Sequence, residues 1–102
     1  MSTVWHKAAL VSDLAEDEPL TLKLAGKEVG LFQLDEEYYA IEDVCPHAYA
    51  LLSQGFADGE EIECPLHNAV FHIKTGKCIK EPGRDLITFD VKVDGEQISV
   101  KL

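Results

Sequence analysis

Two short segments constrain this chain more than anything else in it. Cys45-Pro46-His47 is followed, after sixteen residues, by Cys64-Pro65-Leu66-His67, so each segment offers one thiolate and one imidazole. Brought together from two loops, these four side chains make a closed metal site. It is either a tetrahedral zinc or a 2Fe-2S cluster in which one iron takes both sulfurs and the other both histidines. A zinc finger usually pairs its cysteines in one short segment and its histidines in another. Here each segment is mixed, and the mixed order favours the cluster.

The flanking sequence reads as strands that carry those loops. Val4-Trp5 opens a first strand, and Val11 to Leu14 forms one helical turn capped by Ser12 ahead of the acidic Glu16-Asp17-Glu18 loop. Leu20, Leu22 and Leu24 alternate with polar residues, which predicts a half-buried strand; Val29 to Leu34 is its hairpin partner across Ala25-Gly26-Lys27. After a turn at Asp35-Glu36-Glu37, the strand Tyr38 to Glu42 runs directly into Cys45. Gly55 to Gly59 has turn chemistry and Glu60 to Glu63 delivers Cys64, so both ligand segments are strand ends running into Cys-Pro, where the proline stiffens the backbone just after the thiolate. Val70 to Ile73 predicts a strand and Lys74 to Lys77 its turn, and Glu81-Pro82-Gly83-Arg84 breaks the chain again. Ile87, Phe89, Val91 and Val93 alternate as one strand, Asp94-Gly95 turns, and Ile98, Val100 and Leu102 alternate back to close a hairpin. With no helix-length amphipathic segment, no repeat and no low-complexity tract, the expected fold is all-β.

At 102 residues the chain is expected to be a single domain, 1–102, too small to hold a redox carrier and a separate catalytic domain. A formal charge of -10 repels phosphate backbones, which excludes nucleic acid as a partner and suits basic partner surfaces. No run of about 18 apolar residues could span a bilayer, and Ala8 to Val11 is too short for a signal-peptide core, so a cytoplasmic protein off the membrane is expected. Cys78, the third cysteine, fits a reducing compartment and reads as a small packed side chain; His6 and His72 lack metal-ligand spacing and read as strand or surface histidines.

C-x-H, this spacer and C-x-x-H resemble the Rieske motif, and the likeness extends to Tyr38-Tyr39-Ala40-Ile41-Glu42-Asp43, Leu52-Ser53-Gln54-Gly55, Val70-Phe71 and Thr75-Gly76-Lys77. The chain is similar to the ferredoxin component of bacterial aromatic-ring hydroxylating oxygenases. The resemblance implies an antiparallel β-sandwich base with an inserted cluster-binding subdomain, about 43–82, and one 2Fe-2S cluster of Rieske type. In that cluster Cys45 and Cys64 would hold the inner iron, and His47 and His67 the outer one. The two imidazoles would be the electron's exit, ringed by Pro46, Ala48, Tyr49 and Leu66, with Pro82 leaning over the cluster. It further implies a carrier that turns over no organic substrate, accepting electrons from a flavin-dependent NAD(P)H reductase, donating to the terminal oxygenase, and acting as a monomer. The oxygenase itself needs a second domain for a mononuclear iron, for which only His6 and His72 remain. The runner-up is the small Rieske-type subunit of an assimilatory nitrite reductase. Respiratory Rieske proteins carry a disulfide and two hydroxyl donors to the cluster where this chain has Ala50, Leu66, Ala69 and Phe71, and they carry an N-terminal membrane anchor that is not seen here. Fewer donors imply a potential toward the low end of the Rieske range of about -150 to +300 mV.

Overall fold

Period-two patterning becomes strand almost everywhere it occurs. The structure, a computed structural model, describes every residue except 1–3, 16–17, 46–49, 66–68 and 81–83. Among the described residues the helical content is two single 3-10 turns, Val11–Asp13 and Leu52–Gln54. The strands are β1 (Trp5–Leu10), β2 (Leu20–Leu24), β3 (Lys27–Leu34), β4 (Glu37–Glu42), β5 (Phe56–Asp58), β6 (Glu61–Glu63), β7 (Val70–His72), β8 (Cys78–Lys80), β9 (Thr88–Phe89), β10 (Val91–Asp94) and β11 (Gln97–Lys101). They form three antiparallel sheets in the orders β1-β11-β10, β2-β3-β4-β9 and β5-β6-β7-β8.

The middle sheet is buried on both faces. Val29, Leu31 and Ala40 pack with Ile98 and Val100 of the first sheet, while Phe32 and Ile41 pack with Ile62 and Phe71 of the third and with Ile73 just beyond β7. This explains the sequence of β3, where Val29-Gly30-Leu31-Phe32 is a continuous apolar run and not an alternation. Two neighbouring hairpins are made by two-residue loops with positive φ at both positions: Ala25-Gly26 at 50° and 79°, and Asp35-Glu36 at 50° and 66°. Such loops match the right-handed twist of the strands they join, at the cost of holding Glu36 in the left-handed region.

Four local expectations are corrected. The first turn is capped by Asp13, not Ser12, because its Oδ2 accepts the Leu10 N–H at 3.0 Å. Phe56 to Asp58 is a strand, and the turn is made by Gly59, at φ 62°, and Glu60, so that the next strand starts at Glu61 and not at Glu60. All three β5 residues are exposed, so no burial alternation marks them. An unforeseen strand, β8, pairs with β7 and carries Cys78 opposite Phe71. Finally, the run from Ile87 to Val93 is divided between sheets: β9 pairs with Ala40 and Ile41 of β4, whereas β10 pairs with β11. A strand that passes between packed sheets must bend, and the two ends of this run, Ile87 and Val93, are exposed.

Candidate metal centre

Both ligand segments are built on the same local frame. Cys45 N–H donates to the carbonyl of Ala50 at 2.9 Å, and Cys64 N–H donates to the carbonyl of Ala69, also at 2.9 Å. Each loop is therefore six residues long, opens on Cys-Pro and closes on alanine. Just outside it an antiparallel pair seals the neck: Val44 with Leu51 in the first loop, Glu63 with Val70 in the second. Cys45 is 2% exposed and Cys64 1%, and the two sit with Ala50 and Ala69 in one apolar cluster with Leu52, Ile62 and Phe71. His47 and His67 fall inside these loops but outside the described residues, as do Pro46, Ala48, Tyr49 and Leu66. Pro82 and the Glu16-Asp17 stretch likewise lie outside the described residues.

The donor set fits an iron-sulfur cluster. Two thiols buried in one apolar cluster suit soft thiolate ligation away from water, and the paired loops each add one histidine from the sequence. Among the described residues no group of three or more His, Cys, Asp or Glu side chains could hold a metal ion elsewhere. Ala69 and Phe71, at the positions where the resemblance looks for hydroxyl donors, are fully buried beside Cys64 and offer none.

Sequence reasoning passed over the residues that frame these loops. Asp43, fully buried two residues before Cys45, accepts the Ser53 N–H at 2.7 Å and the Ser53 hydroxyl at 2.5 Å. Burial pushes its carboxyl up, and the Ser53 hydrogen bonds only partly offset that. Next to it, Glu42 binds Arg84 through both carboxylate oxygens, one of them 2.9 Å from Nη2, and also accepts the Ile87 N–H at 2.8 Å. Burial raises the Glu42 pKa, but these bonds outweigh burial and hold it below the usual glutamate value. Arg84 immediately follows the Glu81-Pro82-Gly83 segment, so this ion pair ties that part of the chain to the end of β4. Both acids stand in the Glu42-Asp43 pair that the sequence offered as flank alone.

The remaining sequence candidates fall outside the centre. His72 lies on β7 with its ring engaged on both sides, Nε2 at 3.0 Å from Glu60 Oε1 and Nδ1 at 3.3 Å from Thr75 Oγ1. His6 lies on β1 opposite Val100. Cys78 packs, half-buried, against the apolar cluster, and its N–H donates to Asp85 Oδ1 at 2.9 Å.

Comparison with known proteins bears on the same loops. The chain is 37% identical, over 100% of its own length and 99% of the relative's, to the ferredoxin component of the naphthalene 1,2-dioxygenase/salicylate 5-hydroxylase systems of a Ralstonia species. Its fold matches the ferredoxin of carbazole 1,9a-dioxygenase from Nocardioides aromaticivorans with a TM-score of 0.87 at 34% identity, covering 98% of this chain and 97% of that one. It also matches a chain in a solved complex of reduced oxygenase and oxidized ferredoxin of carbazole 1,9a-dioxygenase, with a TM-score of 0.88 at 31% identity over 97% of this chain and 94% of that one. The model of the Rieske 2Fe-2S domain matches residues 4–97 and so takes in both Cys-Pro loops and strands β1 to β10. A zinc-binding module is thereby excluded, and the chain belongs to the Rieske 2Fe-2S family.

Proposed function

We propose that this protein is the ferredoxin of an aromatic-ring hydroxylating system, accepting electrons from a flavin-dependent NAD(P)H reductase and delivering them to a terminal oxygenase. The observation that carries the reading is the pair of alike loops, each opening on a buried cysteine of one apolar cluster, in a chain that matches ferredoxin components over its whole length. Solved nitrite reductase small subunits match over nearly the same length but at 24% and 30% identity, against 37% for the ferredoxin component, so identity and not length favours this reading. We assign Cys45 and Cys64 as thiolate ligands and His47 and His67 as imidazole ligands of one cluster, within a cluster-binding subdomain of about 43–82. When bound, the cluster takes up and gives back one electron at a time.

The chain's own residues then have three tasks. Cys45 and Cys64, closed off by Ile62, Leu52 and Phe71, keep the sulfur side of the centre away from water. Ala69 and Phe71 withhold hydroxyl donors from the sulfurs, which leaves the reduced form less stabilised and the potential toward the low end of the Rieske range. The charge of -10 steers encounters toward basic surfaces of the partners. Small, transient contacts of this kind suit a monomeric carrier in the cytoplasm. Among the described residues no helix is long and apolar enough to cross a membrane.

The direct test is the electron paramagnetic resonance spectrum of the dithionite-reduced protein, with iron and acid-labile sulfide counted on the same sample. Equal iron and sulfide with a low average g value are expected. A colourless, silent sample containing zinc would overturn the assignment.

A further inference from the structure

The two loops close alike, but their necks are held differently. Beyond Cys64 and Ala69 the second neck continues into a ladder of three pairs, Glu63 with Val70, Ile62 with Phe71 and Glu61 with His72, and β5 and β8 flank that ladder on either side. The first neck has one isolated bridge, Val44 with Leu51, and among the described residues no ladder continues beyond it. What stands in place of a ladder is Asp43. Its backbone carbonyl accepts the Leu52 N–H at 2.7 Å, and its carboxylate takes both the N–H and the hydroxyl of Ser53. The Ser53 Oγ is in turn bonded to Thr21 Oγ1 on β2, and the Asp43 N–H donates to the carbonyl of Glu28 on β3 at 3.0 Å. The middle sheet leaves room for this carboxylate by having glycine at position 30, where a Cβ would lie 2.6 Å from Asp43 Oδ1.

We propose that Asp43 is the positioning residue of the first loop: its carboxylate, clamped on Ser53 across the neck, holds residues 45–50 to the middle sheet as the β6–β7 ladder holds residues 64–69. The clamp itself rests on geometry within the protein, and its consequence for the cluster rests on the ligand assignment above. The Asp43 hydrogen bonds named above run to Ser53, Leu52 and Glu28. Asp43 acts through the backbone that carries Cys45, and so it sets where that thiolate, and the histidine two residues further on, meet the metal.

Hydrogen–deuterium exchange of the oxidised holoprotein, read by mass spectrometry on peptides covering residues 44–53 and 62–71, separates a local clamp from a general contribution to stability. Asp43→Ala and Ser53→Ala are expected to speed exchange in 44–53 by about tenfold, the effect of losing a buried hydrogen bond, and to leave 62–71 unchanged. Asp43→Asn is expected to stay near wild type. Its Oδ1 still accepts the Ser53 N–H, its Nδ2 donates to Ser53 Oγ, and the Ser53 hydroxyl turns its proton to Thr21. The g values of the reduced cluster are expected to move in the alanine variants and return in Asp43→Asn. Equal acceleration of both peptides, or of neither, would overturn the clamp. Should Asp43→Ala fail to accumulate, Ser53→Ala carries the same comparison alone. If wild-type protein lacks iron and sulfide, it is the ligand assignment that fails, and the peptide comparison on that protein still decides the clamp.

Discussion

Gly55 is where the first loop's 3-10 turn meets the second loop's neck, and an added methyl group there has nowhere to go. A Cβ built on Gly55 would lie 2.0 Å from the carbonyl oxygen of Glu63, 3.2 Å from the Glu63 carbonyl carbon and 3.1 Å from Pro65 Cδ. The Gly55 backbone, at φ -86° and ψ -155°, is extended and not left-handed, so the main effect of Gly55→Ala comes from that contact. To reach a tolerable separation the two backbones must part by about 1 Å. The obstructing oxygen is not the free end of a side chain. It belongs to β6, which is paired on both sides and leads directly into Cys64. Overpacking usually costs about 1–3 kcal/mol, and an obstacle made of fixed backbone puts Gly55→Ala at about 3 kcal/mol or above. Gly59→Ala is the matching control. It lies at the other end of β5, its Cβ would meet nothing within 4 Å, and only its φ of 62° opposes the substitution, at a cost of about 1 kcal/mol.

For a domain of this size 1 kcal/mol moves the thermal midpoint by about 4–8 °C. Scans of the two holoproteins under matched conditions are therefore expected to show a loss of about 15 °C for Gly55→Ala and about 5 °C for Gly59→Ala. Iron content should separate them as well, because parting Gly55 from Glu63 draws the first loop's exit away from the second loop's entry. Midpoints for the two variants within 3 °C of each other, taken as roughly half a kcal/mol, would show that the close approach of the two loops is not what fixes glycine at this position.

Other perturbations probe the ligands, the ion pair, the turn and the charge. His47→Cys and His67→Cys are expected to shift or abolish the Rieske-type resonance signal, whereas His72→Gln, which loses only Glu60 and Thr75 as partners, should leave it intact; loss of the cluster in the His72 variant would overturn the ligand assignment. Glu42 has its folded pKa held below 4.5, so its share of stability is complete above that value and is lost as pH falls through the folded pKa. Because Arg84 is more than half exposed, the gap in thermal midpoint between wild type and Arg84→Gln should correspond to no more than about 1 kcal/mol at neutral pH, and it should narrow below pH 4.5; a constant gap would refute the linkage. Glu36→Gly, relieving a φ of 66°, is expected to raise the midpoint by an amount corresponding to about 0.5–1 kcal/mol. Raising salt from about 0.01 to 0.3 M shortens the screening length several-fold and should slow reduction of the partner oxygenase at least about threefold; an unchanged rate would make the -10 charge a matter of solubility alone.

What the sequence made legible is what local chemistry dictates. Two donors that reach one cluster from a single short loop must lie only a residue or two apart, so the segments Cys45 to His47 and Cys64 to His67 stand out without knowledge of the fold, and the comparisons bear out the Rieske family that the spacing suggested. Strands with one buried face, such as Leu20 to Leu24, show their alternation directly. β3 does not, because its two faces pack against different sheets, and β5 does not, because neither of its faces is covered. The Ile87 to Val93 run alternates well yet belongs to two sheets, since periodicity reports the side of a strand and says nothing of its partner.

The residues that hold the centre in place are non-local by the same logic. Asp43 finds Ser53 ten residues away and Glu42 finds Arg84 forty-two away, and only the closed fold brings either pair together. A signal was nevertheless present in the strand end itself. β4 stops at Glu42, and two acids then stand between an apolar strand and a buried cysteine, a place where an unpaired carboxylate would be costly. That cost requires a partner for each. The two partners lie on opposite sides of the β5–β8 sheet in the sequence, Ser53 before it and Arg84 after it. Through Asp43 and Glu42 the end of β4 thus gathers the entry to that sheet and the exit from it at the root of the first loop. A frame closed in this way can hold two loops in register while an electron comes and goes, and the exchange of residues 44–53 measured against 62–71 reports how much of that register depends on Asp43.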